Sequence, residues 1–110
     1  KRKGWGRIVG LSSIWGKIGK EYRASYSTSK FALDGMTLAL AIEHGADGIL
    51  ANCIAPGFID TELTHRVLGE DQIQRLVATV PTRRMADVGE IARFVVWLGS
   101  PDNTYITGQN

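Results

Sequence analysis

Two short apolar segments on either side of one long helix-forming segment constrain this fold most. Residues 7–11 (RIVGL) and 49–55 (ILANCIA) are bounded by glycine, serine or proline, a pattern that predicts buried strands. Residues 24–43 contain no proline and predict a helix, which Gly45 and Gly48 end. A strand, a helix and a second strand within about fifty residues form a βαβ unit, which implies a parallel sheet with a right-handed crossover.

The predicted helix at residues 24–43 is apolar around its whole circumference. Its large apolar residues are Phe31, Leu33, Met36, Leu38, Leu40 and Ile42. A helix of this kind is covered on more than one side, and in a chain of 110 residues the second cover is expected to be another subunit. The sequence therefore predicts a homodimer or homotetramer that assembles through this helix.

Two further helices and part of a strand are expected after the βαβ unit. Residues 60–79 repeat apolar residues at helical spacing, at Ile73, Leu76, Val77 and Val80. Asp87 followed by Glu90 is the capping-box arrangement of a helix start, and Gly99 ends that helix. Residues 105–107 resemble the start of another strand.

The predicted sheet is incomplete, because parallel sheets have several strands and are covered on both faces. The sequence supplies two full strands and part of a third. We therefore expect residues 1–110 to form a single partial domain of the α/β class, a doubly wound parallel sheet that lacks some of its strands.

The basic residues are concentrated at one end of the chain. Four of the thirteen are Lys1, Arg2, Lys3 and Arg7. The remainder holds nine basic and eleven acidic residues, a net charge of −2. A nucleic-acid-binding domain carries a stripe of positive charge along its folded surface, so we expect no nucleic-acid partner.

Membrane, disulfide and metal sites are not expected either. The longest strongly apolar run, residues 94–98, is far shorter than the roughly 20 residues that span a bilayer. Cys53 is the single cysteine, which excludes a disulfide framework, and its spacing from His44 and His65 is not that of a zinc site. Because no apolar segment follows residues 1–3, the sequence favours a cytoplasmic protein.

Tyr26 and Lys30 lie four residues apart in the predicted helix, so their side chains share one face, with Cβ atoms about 5–6 Å apart. A phenol has a reference pKa of about 10, and about 4 kcal/mol of preference for the phenolate brings it to neutral pH. An ammonium group about 4 Å away contributes about 4 kcal/mol at an effective dielectric near 20. The pair suits general acid–base catalysis, although a tyrosine and a lysine at this spacing also occur by chance in many helices.

Ser13 lies at the end of the first predicted strand, thirteen residues before Tyr26. Ligand crevices in open α/β sheets form at the ends of parallel strands, so a hydroxyl group there is placed to hold a substrate carbonyl beside the tyrosine. Trp15 follows in the same loop, and two interpretations stay open for it: a wall of the substrate pocket or an exposed aromatic side chain.

A set of short motifs follows in a characteristic order along the chain. They are Gly6-Arg7-Ile8-Val9, Ser12-Ser13, Tyr26-Ser27-Thr28-Ser29-Lys30, Asn52-Cys53-Ile54-Ala55-Pro56-Gly57, Thr61 and Ile106-Thr107-Gly108. With them the chain resembles the C-terminal half of the short-chain dehydrogenase/reductase family, and most of all its 3-oxoacyl-(acyl-carrier-protein) reductases. The resemblance implies a Rossmann-type fold and an NAD(P)-dependent oxidoreductase that interconverts a carbonyl and a secondary alcohol.

The resemblance also implies roles for individual residues. Tyr26 is the expected general acid that protonates the developing alkoxide. Lys30 is expected to hold the nicotinamide ribose hydroxyls and to favour the phenolate. Ser13 is expected to donate a hydrogen bond to the substrate carbonyl, and only its spacing from Tyr26 prefers it to Ser12.

The segment after the second predicted strand matches the part of the family that surrounds the nicotinamide end of NADP or NAD. The matching residues are Pro56, Gly57, Ile59 and Thr61. Gly57 permits a close approach of the backbone, and Ile59 offers backbone groups to the carboxamide. An ordinary turn at the end of a strand also accounts for Pro56 and Gly57.

The chain departs from the family pattern in two ways. The glycine-rich turn that seats the cofactor pyrophosphate does not occur in residues 1–110, which alone are therefore expected to be inactive. Residues 43–47 are acidic where the acyl-carrier reductases are basic, which leaves sugar, polyol and other small carbonyl substrates open. The main alternative is an assembly module of the same fold that has lost catalysis.

Overall fold

The computed structural model describes residues 4–110, so Lys1, Arg2 and Lys3 of the predicted basic end lie outside the described residues. The elements in chain order are the strand β1 (Gly6–Leu11), the helix α1 (Ala24–His44), the strand β2 (Ile49–Ile54), and the helices α2 (Glu62–Leu68), α3 (Glu70–Thr79) and α4 (Val88–Leu98). Short 3₁₀ turns follow β1 at Ile14–Gly16 and α1 at Gly45–Asp47. No helix within this part of the chain is long and apolar enough to cross a membrane.

The chain divides into two compact units. The second unit is Gly57–Arg93, and the first unit comprises the described residues before it together with Phe94–Asn110. The first unit contains both strands and α1, whereas α2 and α3 belong to the second unit.

β1 and β2 form a parallel pair, which confirms the predicted strand–helix–strand pattern. The register pairs Gly6 with Ile49 and ends with Leu11 beside Ile54. The Ser12 amide continues this pairing by donating to the Ile54 carbonyl (2.8 Å). The fold class is therefore α/β, with α1 as the connection between two parallel strands.

β1 is not the buried strand that its composition predicts. Ile8 and Leu11 are exposed, whereas β2 is buried from Leu50 to Ile54. Among residues 4–110, β1 pairs only with β2. One edge of β1 therefore faces no other strand, and its apolar side chains are less covered than those of β2.

α1 packs on β2, and its buried residues have small side chains. Thr37 and Ala41 are its buried residues. This close packing leaves large apolar side chains of the helix exposed, at Phe31, Met36, Leu38 and Ile42. An exposed apolar face is what assembly through this helix requires, and the assembly itself stays a prediction.

The prediction of one helix at residues 60–79 is wrong, because the segment forms two helices. Gly69 separates α2 from α3 with φ 73° and ψ 162°, in a region of conformational space that glycine adopts readily and other residues do not. Val80 follows α3 in an extended conformation. The helical spacing of the apolar residues therefore describes α3 alone, where Ile73 is buried.

α4 begins with the predicted capping box. The Asp87 carboxylate accepts from the Gly89 amide (2.7 Å), and the Glu90 carboxylate accepts from the Asp87 amide (2.8 Å). Arg84 donates two hydrogen bonds of 2.6 Å to Glu90. The guanidinium first, and then the Asp87 amide, lower the pKa of Glu90 to about 2.

The prediction of a strand at residues 105–107 is also wrong. Instead, the Gly108 amide donates to the Ala51 carbonyl, and the Cys53 amide donates to the Gln109 carbonyl, each at 2.7 Å. Bonds between the two backbones therefore involve Gly108 and Gln109 of the C-terminal segment, and residues 105–107 form no strand.

Two buried asparagines hold this segment in place. Asn103 is 1% exposed, and its side chain donates to the Ile106 carbonyl (3.0 Å) and accepts from the Ile106 amide (2.9 Å). Asn52, also 1% exposed, donates to the same carbonyl (2.7 Å) and accepts from the Gln109 amide (3.1 Å). Arg7 donates to the Asn103 carbonyl (2.7 Å). This basic residue, which is partly buried, therefore bonds directly to the C-terminal segment.

Replacing Asn103 by alanine is expected to lower the free energy of unfolding by about 1–3 kcal/mol, because the Ile106 amide and carbonyl lose a buried partner. Chemical denaturation followed by circular dichroism measures the change. Asn110→Ala is the control, since Asn110 is exposed and bonds the partly exposed carboxylate of Asp34, and its effect is expected to stay below about 0.5 kcal/mol. Equal losses in the two variants would contradict the role assigned to Asn103.

Candidate active site

The carboxyl ends of β1 and β2 lie at the same edge of the sheet, and the segments that follow them are bonded together. Ser12 and Ser13 come directly after β1, and Pro56 follows β2. The Ile14 amide donates to the Pro56 carbonyl (3.0 Å). Two of the predicted site residues, Ser13 and Pro56, therefore lie in loops that meet at this edge.

Ser13 caps the 3₁₀ turn that follows it. Its Oγ atom accepts from the Trp15 amide (3.2 Å), and the residue is 8% exposed. A hydroxyl that accepts one hydrogen bond still has its own hydrogen to donate, as the predicted contact with a substrate carbonyl requires. Trp15 lies beside it, partly buried, with the Lys20 ammonium 4.9 Å from its ring centre. The contact of Trp15 with substrate stays a prediction.

Tyr26 and Lys30 occupy one face of the N-terminal part of α1 and lie next to each other. The Lys30 Nζ atom is 5.5 Å from the centre of the Tyr26 ring, and it donates to the Leu11 carbonyl at the end of β1 (2.8 Å). Tyr26 is 43% exposed, so a ligand has access to its ring. The Lys30 ammonium therefore lies beside an accessible phenol ring.

Ser12 has a role that the sequence did not reveal. Its hydroxyl donates to the Lys30 carbonyl (3.0 Å), and the residue is 6% exposed. The two serines therefore differ: Ser12 bonds to α1, whereas Ser13 caps the turn. Two serines at the end of a strand were the available sequence signal for this role. The contact between Ser12 and Lys30 joins residues 18 positions apart, and such a contact produces no local periodicity in the sequence.

The other predicted cofactor residues belong to the second unit. Ile59 forms a parallel bridge with Ala86, and its carbonyl accepts from the Thr64 hydroxyl (2.8 Å). Thr61 is the N-cap of α2 and accepts from the Thr64 amide (3.1 Å). A Cβ atom on Gly57 would meet no atom within 4 Å, so the backbone there is open to a ligand. The roles of these residues toward a cofactor stay predictions.

His65 of α2 bridges two carboxylates. Its Nδ1 atom lies 2.9 Å from Glu70 Oε1, and its Nε2 atom lies 2.7 Å from Asp60 Oδ1. The bond to Glu70 first, and then the bond to Asp60, raise the pKa of His65 above its ordinary value. These side chains do not form a metal-binding group, and the structure shows none elsewhere in residues 4–110.

A parallel sheet with a serine and a tyrosine–lysine pair at its carboxyl edge defines the class as an α/β protein with a candidate oxidoreductase site. A family model described as enoyl-(acyl carrier protein) reductase matches residues 1–110. The chain belongs to the short-chain dehydrogenase/reductase family, which confirms the resemblance found in its motifs.

Two curated relatives illustrate the similarity. The acetoacetyl-CoA reductase of Cupriavidus necator is 39% identical over 106 residues, which are 96% of this chain and 43% of that protein. The 3-oxoacyl-[acyl-carrier-protein] reductase FabG of Pseudomonas aeruginosa is 41% identical over 104 residues, which are 94% of this chain and 42% of that protein. The chain therefore spans less than half the length of the relatives it matches.

A solved structure gives the same result for the fold. ElxO with NADP bound superimposes with a TM-score of 0.89 at 30% identity, over 98% of this chain and 44% of that one. The parallel strands and helices described above are thus an incomplete Rossmann-type fold, as the motifs imply.

The pKa of His65 is expected to exceed that of an unfolded histidine, and Glu70→Gln is expected to lower it, because Glu70 makes the stronger of the two contacts that favour the proton. Since the folded pKa is raised, the stabilisation is complete below the unfolded pKa of about 6.5 and is lost as the pH rises through the folded value. An NMR titration of the ring protons measures the pKa.

Glu62→Gln is the matched control, since Glu62 pairs with Arg66 instead of His65. It is expected to leave the His65 titration unchanged. A His65 that titrates at or below about 6.5 in the folded protein would contradict the bridge.

Proposed function

We propose that the protein is an NAD(P)-dependent oxidoreductase that interconverts a carbonyl group and a secondary alcohol, with Tyr26 as general acid and base. The observation that carries the proposal is the Lys30 ammonium, 5.5 Å from the ring centre of the exposed Tyr26, at the carboxyl edge of a parallel sheet. The family of the chain and its similarity to an NADP-bound structure support the same reaction class.

The side chains at this edge suit the nicotinamide end of NADP or NAD. An ammonium group has three hydrogens to donate, and Lys30 gives one of them to the Leu11 carbonyl, which leaves two for ribose hydroxyls. The Tyr26 hydroxyl adds a further polar group, and Pro56 and the second-unit residues Gly57, Ile59 and Thr61 are proposed for the nicotinamide itself. When bound, the cofactor supplies or accepts the hydride.

The chain's own residues are proposed to handle the proton. In the reduction, the carbonyl carbon receives the hydride, the electron pair of the C=O π bond moves to the oxygen, and the Tyr26 hydroxyl gives its proton to that oxygen. In the oxidation, the Tyr26 phenolate takes the proton of the alcohol as the hydride leaves the carbon. Ser13 donates a hydrogen bond to the same oxygen, and the Lys30 charge favours the phenolate.

The proposed substrate is a small carbonyl or acyl compound, with a 3-oxoacyl thioester as the first to test. Two similar proteins carry the names acetoacetyl-CoA reductase and 3-oxoacyl-[acyl-carrier-protein] reductase. Sugar and polyol carbonyls are the competing class, because residues 43–47 are acidic and an acidic carrier protein would be repelled there. Trp15 is proposed to line the substrate pocket in either case.

The proposed assembly is a homodimer or homotetramer that forms through α1. Its support is the row of large apolar side chains that α1 leaves exposed, among them Phe31 and Ile42. We propose a cytoplasmic location and neither a nucleic-acid nor a membrane partner.

A second candidate function is a catalytically inactive fragment or assembly module of the same fold. The observation that favours it is the set of large apolar side chains that α1 leaves exposed, among them Phe31 and Ile42. Titration with NADPH separates the candidates, because binding to an enzyme changes the fluorescence of the nicotinamide, whereas an assembly module leaves it unchanged.

Tyr26→Phe is expected to lower kcat for the reduction of acetoacetyl-CoA by NADPH by roughly 10²–10⁴-fold, because the variant has no proton to give. The assay uses the protein as its gene encodes it. Tyr105→Phe, at a tyrosine that is 86% exposed, is the control and is expected to keep full activity. Unchanged turnover in Tyr26→Phe would refute the assignment of Tyr26.

A further inference from the structure

We propose that Ser12 and Gly16 are positioning residues that fix Lys30 in α1 and so keep its ammonium group beside Tyr26. The inference rests on the proposed function, because it concerns how the acid–base pair is held. Neither residue is proposed to touch substrate or cofactor.

Two hydrogen bonds cross between the end of β1 and Lys30, one in each direction. The Ser12 hydroxyl donates to the Lys30 carbonyl (3.0 Å), and the Lys30 ammonium donates to the Leu11 carbonyl (2.8 Å). The first bond fixes the backbone of Lys30 and the second fixes the end of its side chain. Because Leu11 and Ser12 are consecutive, both bonds hold the lysine against the same point of the sheet.

Gly16 packs closely against both Ser12 and Lys30. A Cβ atom at this position would lie 2.5 Å from Ser12 Oγ, 2.9 Å from Lys30 Cβ and 3.1 Å from the Lys30 carbonyl carbon. Contacts under about 3 Å do not persist between such atoms, since packed carbon atoms sit about 3.5–4.0 Å apart. A side chain at residue 16 must therefore displace Ser12, Lys30 or the turn that carries residue 16.

The burial of these residues explains why the contact is specific. Ser12 is 6% exposed and Gly16 is buried. If the Ser12 hydroxyl is removed, a water molecule takes its place only at a cost in free energy. The attraction between the Lys30 ammonium and a Tyr26 phenolate falls with their separation. A displacement of the Lys30 backbone is therefore expected to change how easily Tyr26 ionises, and not only how stable the fold is.

Gly16→Ala and Gly19→Ala form a matched pair for the test, three residues apart in one loop. The added methyl group meets Ser12 and Lys30 at residue 16, whereas at residue 19 no atom lies within 4 Å. The oxidation of 3-hydroxybutyryl-CoA by NADP⁺ is measured against pH in the protein as its gene encodes it. Gly16→Ala is expected to lower kcat roughly 10- to 100-fold and to move the midpoint of the pH profile upward, and Gly19→Ala is expected to match the wild type.

Ser12→Ala tests the same inference without adding any volume, and it serves where Gly16→Ala fails to fold. It is expected to move the pH midpoint in the same direction, because the Lys30 carbonyl loses the hydrogen bond from the Ser12 hydroxyl. Ser12→Thr retains a hydroxyl group and is expected to return the midpoint toward the wild-type value. A lower melting temperature with an unchanged pH midpoint in Ser12→Ala would show a merely structural role and overturn the proposal.

Chemical labelling gives a measurement that needs neither substrate nor cofactor. The rate at which acetic anhydride acetylates Lys30, read by peptide mass spectrometry, is expected to rise in Gly16→Ala and Ser12→Ala and to stay constant in Gly19→Ala. Equal rates in all variants would overturn the positioning role even if Tyr26→Phe is inactive. A Tyr26→Phe variant with full turnover would instead refute the proposed function, while the labelling rates still decide whether Ser12 and Gly16 hold Lys30.

Discussion

The parallel register of β1 and β2 is the constraint on which the candidate site depends. The pairing ends with Leu11 beside Ile54, so the segments that follow the two strands leave the sheet at one edge. α1 connects the carboxyl end of β1 to the amino end of β2 and therefore begins near that same edge. For this reason the N-terminal turns of α1, with Tyr26 and Lys30, lie where ligand crevices form in open α/β sheets.

Close packing around α1 relies on residues with little or no side chain. Gly16 allows the turn after β1 to touch Lys30 directly, and the buried residues of α1 are the small Thr37 and Ala41. A buried hydroxyl needs a hydrogen-bond partner, and Ser12 finds one in the Lys30 carbonyl. Short distances between backbone segments thus bring Lys30, a member of the proposed acid–base pair, against the end of β1.

Each of the two units contains its own polar interactions. In the first unit, Asn52 and Asn103 are buried amides, whose hydrogen bonds do not change with pH. In the second unit, Glu90 and His65 are titratable side chains with carboxylate or guanidinium partners. Because the pKa of Glu90 is lowered, its contribution to the stability of the fold is present above its unfolded pKa and is lost as the pH falls toward about 2. The pKa of His65 is raised, so its contribution to stability is lost as the pH rises.

The sequence by itself determined the features that rest on local spacing: the βαβ unit, the capping box at Asp87 and the shared face of Tyr26 and Lys30. Only the tertiary structure decided that Gly69 divides a helix, that the C-terminal segment bonds to β2 without forming a strand, and that the Ser12 hydroxyl donates to the Lys30 carbonyl. The physical reason is the range of the interactions. Helical and strand periodicities arise between residues at most four positions apart, whereas the Ser12 bond joins residues 18 positions apart and exists only once the chain has folded.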